Sequence, residues 1–490
     1  MKKLTLIQRL ITLTLGVASV GFTPHTSQAL DPPAQVGTQQ LGLSQTHALA
    51  IQNNLSLLIS RYQKQQGEQA SSRVRQAYVP SLSIDLGWSD DVSLIADERN
   101  RSLAYGAQVN WTLPQGTGLF ARLEALEFLS GQSFVPQPSN KLQLGVSQPL
   151  LQGFGQGVDN IDRAKAEVKQ QQAVFASVLN DFLLEVEQSY WSLVLAQNDV
   201  VIKQRSRERA QKQFDDMTEN IRRGLVAPGE IFIVEENLVF FTQQLIRSEE
   251  ALTLAQTRLA RLIRVDPNTE ITATDDLEKY AFKAPPSLEE ALNTALANNP
   301  SVQAAEFSLS QQKETLSIAQ NQYKPQLDLS AAATLNGVDQ SRAQAWKQVV
   351  TAQQPGWQVG LDFTIPLDRS PDRARLEITE LATAQARTVV EDARDDVRYG
   401  IKEELTRWQR RLEVLNLSEK RMNLALEKLQ TEQEKYKSGL STLANVVLFQ
   451  RDLDSARIGL QSARLDVVLA AVRLYRLQGT LSQHVGVEVQ

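Results

Sequence analysis

Residue types that do chemistry are sparse in this chain, and their spacing does not assemble them. His25, His47 and His484 are the three histidines. His25 falls in an N-terminal leader-like segment, and the other two have no neighbouring ligand at metal spacing. There is no cysteine, which excludes a disulfide scaffold, a thiol-ligated metal and cysteine-anchored lipidation. Gly153-Phe-Gly-Gln-Gly157 lies between a strand-like and a helix-like segment, as a phosphate loop would. It lacks the lysine and Ser/Thr of that loop, and the third glycine spacing of a dinucleotide fingerprint. No nucleophile–base arrangement is visible. The sequence therefore reads as a non-enzyme without cofactor or metal. Three acids do sit in a pattern: Asp85, Asp328 and Asp362 each occupy the polar side of an alternating segment. Acids so placed can line an aqueous path and favour cations.

The elements that position those acids begin after an export-like leader. Lys2, Lys3 and Arg9 precede the apolar stretch 10–22, and Ser27-Gln28-Ala29 offers a small-x-small cleavage site. Residues 1–29 are expected to be a signal peptide. Its loss would take the formal net charge from −5 to −8, which disfavours a nucleic-acid partner. Beyond it, no apolar run reaches the roughly 18 residues of a spanning helix. A membrane role must then come from strands or an amphipathic surface.

Residues 43–86 recur at 288–331 at a constant offset of 245 positions, pairing Leu43/Leu288, Asn54/Asn299, Tyr78/Tyr323 and Pro80/Pro325. Such self-similarity implies two equivalent halves, 30–286 and 287–490. Each half has a helix, strands and a long helical hairpin, at 160–264 and 373–478. Phe175, Leu179, Leu183, Val186, Tyr190 and Val194 follow the spacing of one buried helical face. Helices of about 60 residues would be on the order of 90 Å long, the scale of a coiled coil or helical barrel. At the hairpin turns the offset is 215, matching Gly224 to Gly439. A glycine after a helix end can take the left-handed conformation that terminates it.

The strand segments alternate strictly. Leu82, Ile84, Leu86 and Trp88 oppose Ser81, Ser83, Asp85 and Gly87, while Trp357, Val359, Leu361 and Phe363 oppose Gln358, Gly360 and Asp362. Residues 142–147 and 326–331 behave alike. One apolar and one aqueous environment are required. Either lipid or the protein's own helices can supply the apolar one. Trp88 and Trp357 fit an aromatic girdle at a membrane interface. If lipid is met, an open sheet edge is not tolerated, and four strands are too few to close. Three copies pooling four strands each would make twelve. Residues 89–140 carry a further hairpin, with Tyr105–Leu113 and Leu119–Phe128 around Pro114-Gln-Gly-Thr-Gly. The sequence leaves open whether it extends a barrel above the membrane or adds strands to it.

Tyr-x-Pro-x-Leu-x-Leu at 78 and 323, Ser-Gln-Pro-Leu-Leu-x-Gly-Phe-Gly at 147–155, Gly-Leu turns at 224 and 439, and Arg-Leu-x-Arg-Leu at 473–477 occur in a duplicated order. Over residues 43–479 the chain resembles the TolC family of outer-membrane efflux and secretion channels. The resemblance implies a mainly α fold with membrane β-strands. A long coiled-coil α-helical barrel would project into the periplasm, below a transmembrane β-barrel completed by trimerisation, with four strands per subunit. It implies an exit duct of a tripartite efflux or type I secretion system, working with a periplasmic adaptor and an inner-membrane pump or ABC exporter. Gly224, Leu225, Val226 and Ala227, with Gly439, Leu440, Ser441 and Thr442, resemble the hairpin tips that meet the adaptor. Glu230 and Asn445 occupy the positions where the family often places gating aspartates. The asparagine departs from that pattern, and Glu230 equally suits a first-turn acid at a helix dipole. A passive porin with a helical extension, or a periplasmic coiled-coil scaffold, remains an alternative to an exit duct.

Overall fold

The computed structural model describes residues 37–93, 98–130, 139–277, 284–339 and 341–486. The leader segment 1–29 lies outside these residues. Each half begins with a short helix pair: α1 (Leu43–Asn53) and α2 (Leu55–Gln76), then α5 (Leu288–Asn298) and α6 (Pro300–Gln322). Asn54 and Asn299 separate the members of each pair. Asn299 accepts from the backbone N–H of Ser301 and Val302, and Asn54 from that of Leu57. Both therefore start the second helix by satisfying donors that the first turn leaves unpaired.

The long hairpins are α3 (Gln156–Arg222) with α4 (Ile231–Ile263), and α8 (Ser370–Lys437) with α9 (Leu443–Gln478). α3 has 67 residues and α8 has 68, so each is about 100 Å long at 1.5 Å per residue. Phe175, Leu179, Leu183, Val186 and Tyr190 of α3 are buried with Leu259 and Ile263 of α4 in one core. Val397, Ile401, Leu405 and Trp408 of α8 join Leu460, Val467 and Leu474 of α9 in its counterpart. A short parallel pair, β1 (Thr38–Leu41) with β6 (Glu270–Ala273), caps the first core. α10 (Leu481–His484) closes the chain's described end.

At the other end of the helices stands one antiparallel sheet in the order β2–β3–β4–β5–β7–β8. Its strands are β2 (Ser81–Ser93), β3 (Glu98–Thr112), β4 (Gly118–Ser130), β5 (Ser139–Pro149), β7 (Gln326–Val338) and β8 (Gln354–Thr364). The expected four strands per subunit are thus corrected to six. The hairpin within 89–140 joins the sheet as β3 and β4, inserted between β2 and β5 rather than standing apart. Strands also run further than the alternation suggested, so Trp88 and Trp357 sit inside β2 and β8, both exposed on the apolar face. α7 (Arg342–Val350) links β7 to β8 and buries Ala345 and Val349. Arg342 of α7 donates to the Tyr105 hydroxyl of β3 at 2.9 Å.

Candidate functional site

The sheet has two chemically distinct faces because alternate side chains point to opposite sides. One register row reads Leu82, Val109, Ala121, Leu144, Ala333 and Trp357 across all six strands. The adjacent row reads Ser83, Gln108, Arg122, Gln143, Thr334 and Gly356. Ile84, Leu86, Val359 and Leu361 are exposed although nothing about their chemistry favours water. A contiguous apolar patch spanning a whole sheet marks a surface meant for lipid or protein. Among the described residues no helix is long and apolar enough to cross a membrane, and that statement leaves a β-barrel untouched.

The three sequence-marked acids all fall on the polar face. Asp328 and Asp362 are register partners on β7 and β8, at the helix-proximal end, and Gln326 donates to Asp328 Oδ2 at 2.6 Å. Asp85 lies apart from them, in a row with Glu124 of β4 and Lys141 of β5. Arg122, two rows away on the same face, donates through Nε to Gln108 Oε1 at 3.0 Å and lies 3.6 Å from Glu124. Arg122, Glu124 and Lys141 are polar-face charges that the sequence reading did not assign. The alternation of Phe120, Arg122 and Glu124 against Leu119, Ala121 and Leu123 was the signal available for the first two.

The opposite pole of the molecule is formed by the two helix turns. Gly224 and Gly439 both have φ of +73°, the left-handed conformation that glycine takes without a Cβ penalty. The following amides close equivalent bonds, Leu225 N to Asn220 O at 2.9 Å and Leu440 N to Lys435 O at 2.8 Å. Each turn then presents a leucine, Leu225 being 69% and Leu440 79% exposed. Val226 is half-buried and Ala227 exposed, while Ser441 bonds the Glu432 carboxylate and Thr442 caps α9 by accepting from Asn445 N at 3.4 Å. Glu219, pinned by Arg222 at 2.8 Å and Arg223 at 2.6 Å, is held below the usual carboxylate range by those bonds. Glu230 ends a single 3-10 turn, Pro228–Glu230, ahead of α4 and is exposed. Asn445 is exposed in the first turn of α9, its side chain donating to Ser441 at 3.3 Å. The two occupy equivalent places in their hairpins. Among the described residues no group of three or more His, Asp or Glu could hold a metal ion.

Residues 291–480 match the family model described as outer membrane efflux protein. That match places residues 291–480 among the outer membrane efflux proteins. The chain is 21% identical over 351 residues to outer membrane protein TolC of Vibrio cholerae, covering 71% of this chain and 79% of that protein. The fold is similar to the CmeC outer membrane channel of Campylobacter jejuni, with TM-score 0.65, 15% identity, and 90% and 86% of the two chains covered. It is also similar to the MtrE outer membrane channel of Neisseria gonorrhoeae, with TM-score 0.63, 17% identity, and 90% and 89% covered. In an efflux protein of this fold the sheet is the barrel segment in the outer membrane, and the long hairpins are its periplasmic part.

Proposed function

We propose that three copies of this chain form an outer-membrane exit duct. The duct serves a tripartite efflux or type I secretion system and carries small molecules or polypeptides outward. One observation carries the reading: a sheet with apolar rows across all six strands on one face and mainly polar rows on the other is continuous with helices about 100 Å long. Lipid matches the first face, water the second, and the helices reach into the periplasm. Apolar residues also remain exposed along α8, at Ile378, Leu381, Tyr399, Leu417 and Leu424, where a neighbouring copy in a helical tube would cover them.

The leucine-tipped turns are the contact for a periplasmic adaptor. Leu225 and Leu440 stand exposed at equivalent turns, which is where a partner can gain apolar burial without rearranging the core. Glu230 would bring three carboxylates towards the axis of a trimer, while Asn445 brings none. Energy for transport comes from an inner-membrane pump or ABC exporter.

Polar-face acids Asp85, Glu124, Asp328 and Asp362 oppose the bases Arg122 and Lys141, so the lumen prefers cations. Reversal potentials across a planar bilayer test this directly, and anion preference would contradict it. Extraction from membranes should require detergent. Release by osmotic shock would instead favour a periplasmic scaffold, and high resting conductance without adaptor a passive porin.

A further inference from the structure

We infer that each copy gives six strands to the membrane barrel, so that the trimer closes an eighteen-stranded pore in which β3 and β4 are wall. This rests on the trimeric-duct reading above and deepens it. In such a trimer the inserted hairpin brings Arg122 and Glu124, with Lys141 beside them, into the lumen.

Three independent observations place β3 and β4 in the wall. The first is pairing. β2 bonds β3 from Ser81↔Asn110 to Ser93↔Glu98, and β4 bonds β5 from Gly118↔Ser147 to Leu126↔Ser139. β2 and β5 therefore never meet, and a barrel omitting the hairpin would have to break both ladders. The second is chemistry: the apolar row Leu82–Val109–Ala121–Leu144 and the polar row Ser83–Gln108–Arg122–Gln143 both pass through β3 and β4, so over these rows the inserted strands see the same two environments as their neighbours.

The third is the level of the hairpin's turn. Gly155 N, at the start of α3, donates to Gln115 O in that turn at 3.0 Å. A Cβ on Gly157 would stand 2.5 Å from Pro114 O. The turn is thus clamped against the strand-to-helix junction at Pro149–Gln156. An extension above the membrane would place it at the opposite end of the sheet. β3 and β4 cross the full height instead.

Closure follows from direction. β2 runs away from the helices and β8 returns towards them, so β8 of one copy and β2 of the next are antiparallel. Both edges expose apolar side chains, Ile84 and Trp88 on one and Val359 and Phe363 on the other. An edge left open in hydrocarbon would strand its N–H and C=O groups, so the occupant of each edge is a second copy of this chain.

Single cysteines in the full-length protein in lipid test the assignment, against a background without native cysteine. The variants are Gln108→Cys and Arg122→Cys on the polar face, Val109→Cys and Ala121→Cys on the apolar face, and Ser83→Cys and Leu82→Cys on β2 as reference. A membrane-impermeant thiol reagent should label the polar-face sites on the order of tenfold faster and reduce conductance. Equal labelling of all four hairpin sites without conductance change, while Ser83 and Leu82 still differ, would overturn the six-strand wall and leave the duct standing. Loss of the Ser83/Leu82 difference in a folded trimer would overturn both. Electron microscopy of the unmodified protein gives the strand count without mutation, and twelve strands would refute the proposal.

Discussion

Asn299 donates its side-chain amide to the Leu477 carbonyl at 2.7 Å, and its repeat counterpart Asn54 reaches Leu262 O at 3.4 Å. Residues some 200 positions apart are thus joined twice by one device. In both halves the residue that starts α2 or α6 also donates to an orphan carbonyl at the end of α4 or α9. Helix ends leave such groups unpaired, so one asparagine satisfies donors on one helix and an acceptor on another.

Replacing Asn299 by alanine should therefore cost more than replacing Asn54. The longer contact of Asn54 is weaker, whereas Asn299 loses a cap and a short bond to a buried helix end. About 1–3 kcal/mol is expected for Asn299→Ala. Thermal melting of the helical signal compares the two variants, and an equal or reversed order would contradict the geometry.

The hairpin tips should separate stability from transport. Leu225 and Leu440 are exposed in the isolated chain, so Leu225→Ser with Leu440→Ser should change stability by less than about 0.5 kcal/mol. Efflux in cells carrying the matching adaptor and pump should nevertheless fall at least severalfold. Wild-type export by a stably folded double variant would remove the tips from the adaptor contact.

Placing alanine at Gly224 or Gly439 tests the turns themselves. Nothing lies within 4 Å of a Cβ added at either site, so any cost is conformational, at φ of +73°. Roughly 1 kcal/mol per site is expected, with asparagine costing less. Denaturation midpoints of the two alanine variants and the asparagine variants check the order.

Burial sets opposite protonation preferences at His47 and Glu187, whose Nε2 and Oε1 lie 3.6 Å apart. Desolvation lowers the imidazole from 6.5 to about 4 and raises the carboxyl from 4.5 to about 7, while the bond from Trp191 pulls the carboxyl back. The raised Glu187 contributes stability fully below 4.5, and loses it as pH climbs through about 7. The depressed His47 contributes fully above 6.5, and loses it as pH falls through about 4. Between 4.5 and 6.5 the two slopes oppose each other, leaving a net fall on the alkaline side. Glu187→Gln should abolish that fall between about pH 6 and 8. Melting temperatures across this range decide it, and an unchanged slope would assign the effect elsewhere.

Arg209 of α3 bonds both carboxylate oxygens of buried Asp454 on α9, at 2.9 and 3.0 Å, with Ser206 also at 2.5 Å. The contact ties the first hairpin to the second. A double-mutant cycle of Arg209→Met and Asp454→Asn should give a coupling of about 1–3 kcal/mol. Its value is moderated by the partial exposure of Arg209 and by Ser206 remaining as a partner. Strict additivity would mean the tie contributes nothing.

Local rules made much of this architecture legible without coordinates. The stripe from Phe175 to Val194 marks a helix face because 3.6-residue periodicity is a property of neighbours in the chain. Gly224 and Gly439 mark turns because φ near +73° belongs to one residue. Asp85, Asp328 and Asp362 could be given a face because alternation is intrinsic to a strand. What alternation cannot carry is the identity of the strand alongside. Residues 98–130 read as a hairpin, yet only the ladders to β2 and β5 made it part of the sheet, raising four strands to six. The row holding Asp85, Glu124 and Lys141, and the burial of His47 against Glu187 about 140 residues away, arise in the same manner. Such meetings depend on hydrogen-bond register and packing between distant segments, which sequence spacing does not encode.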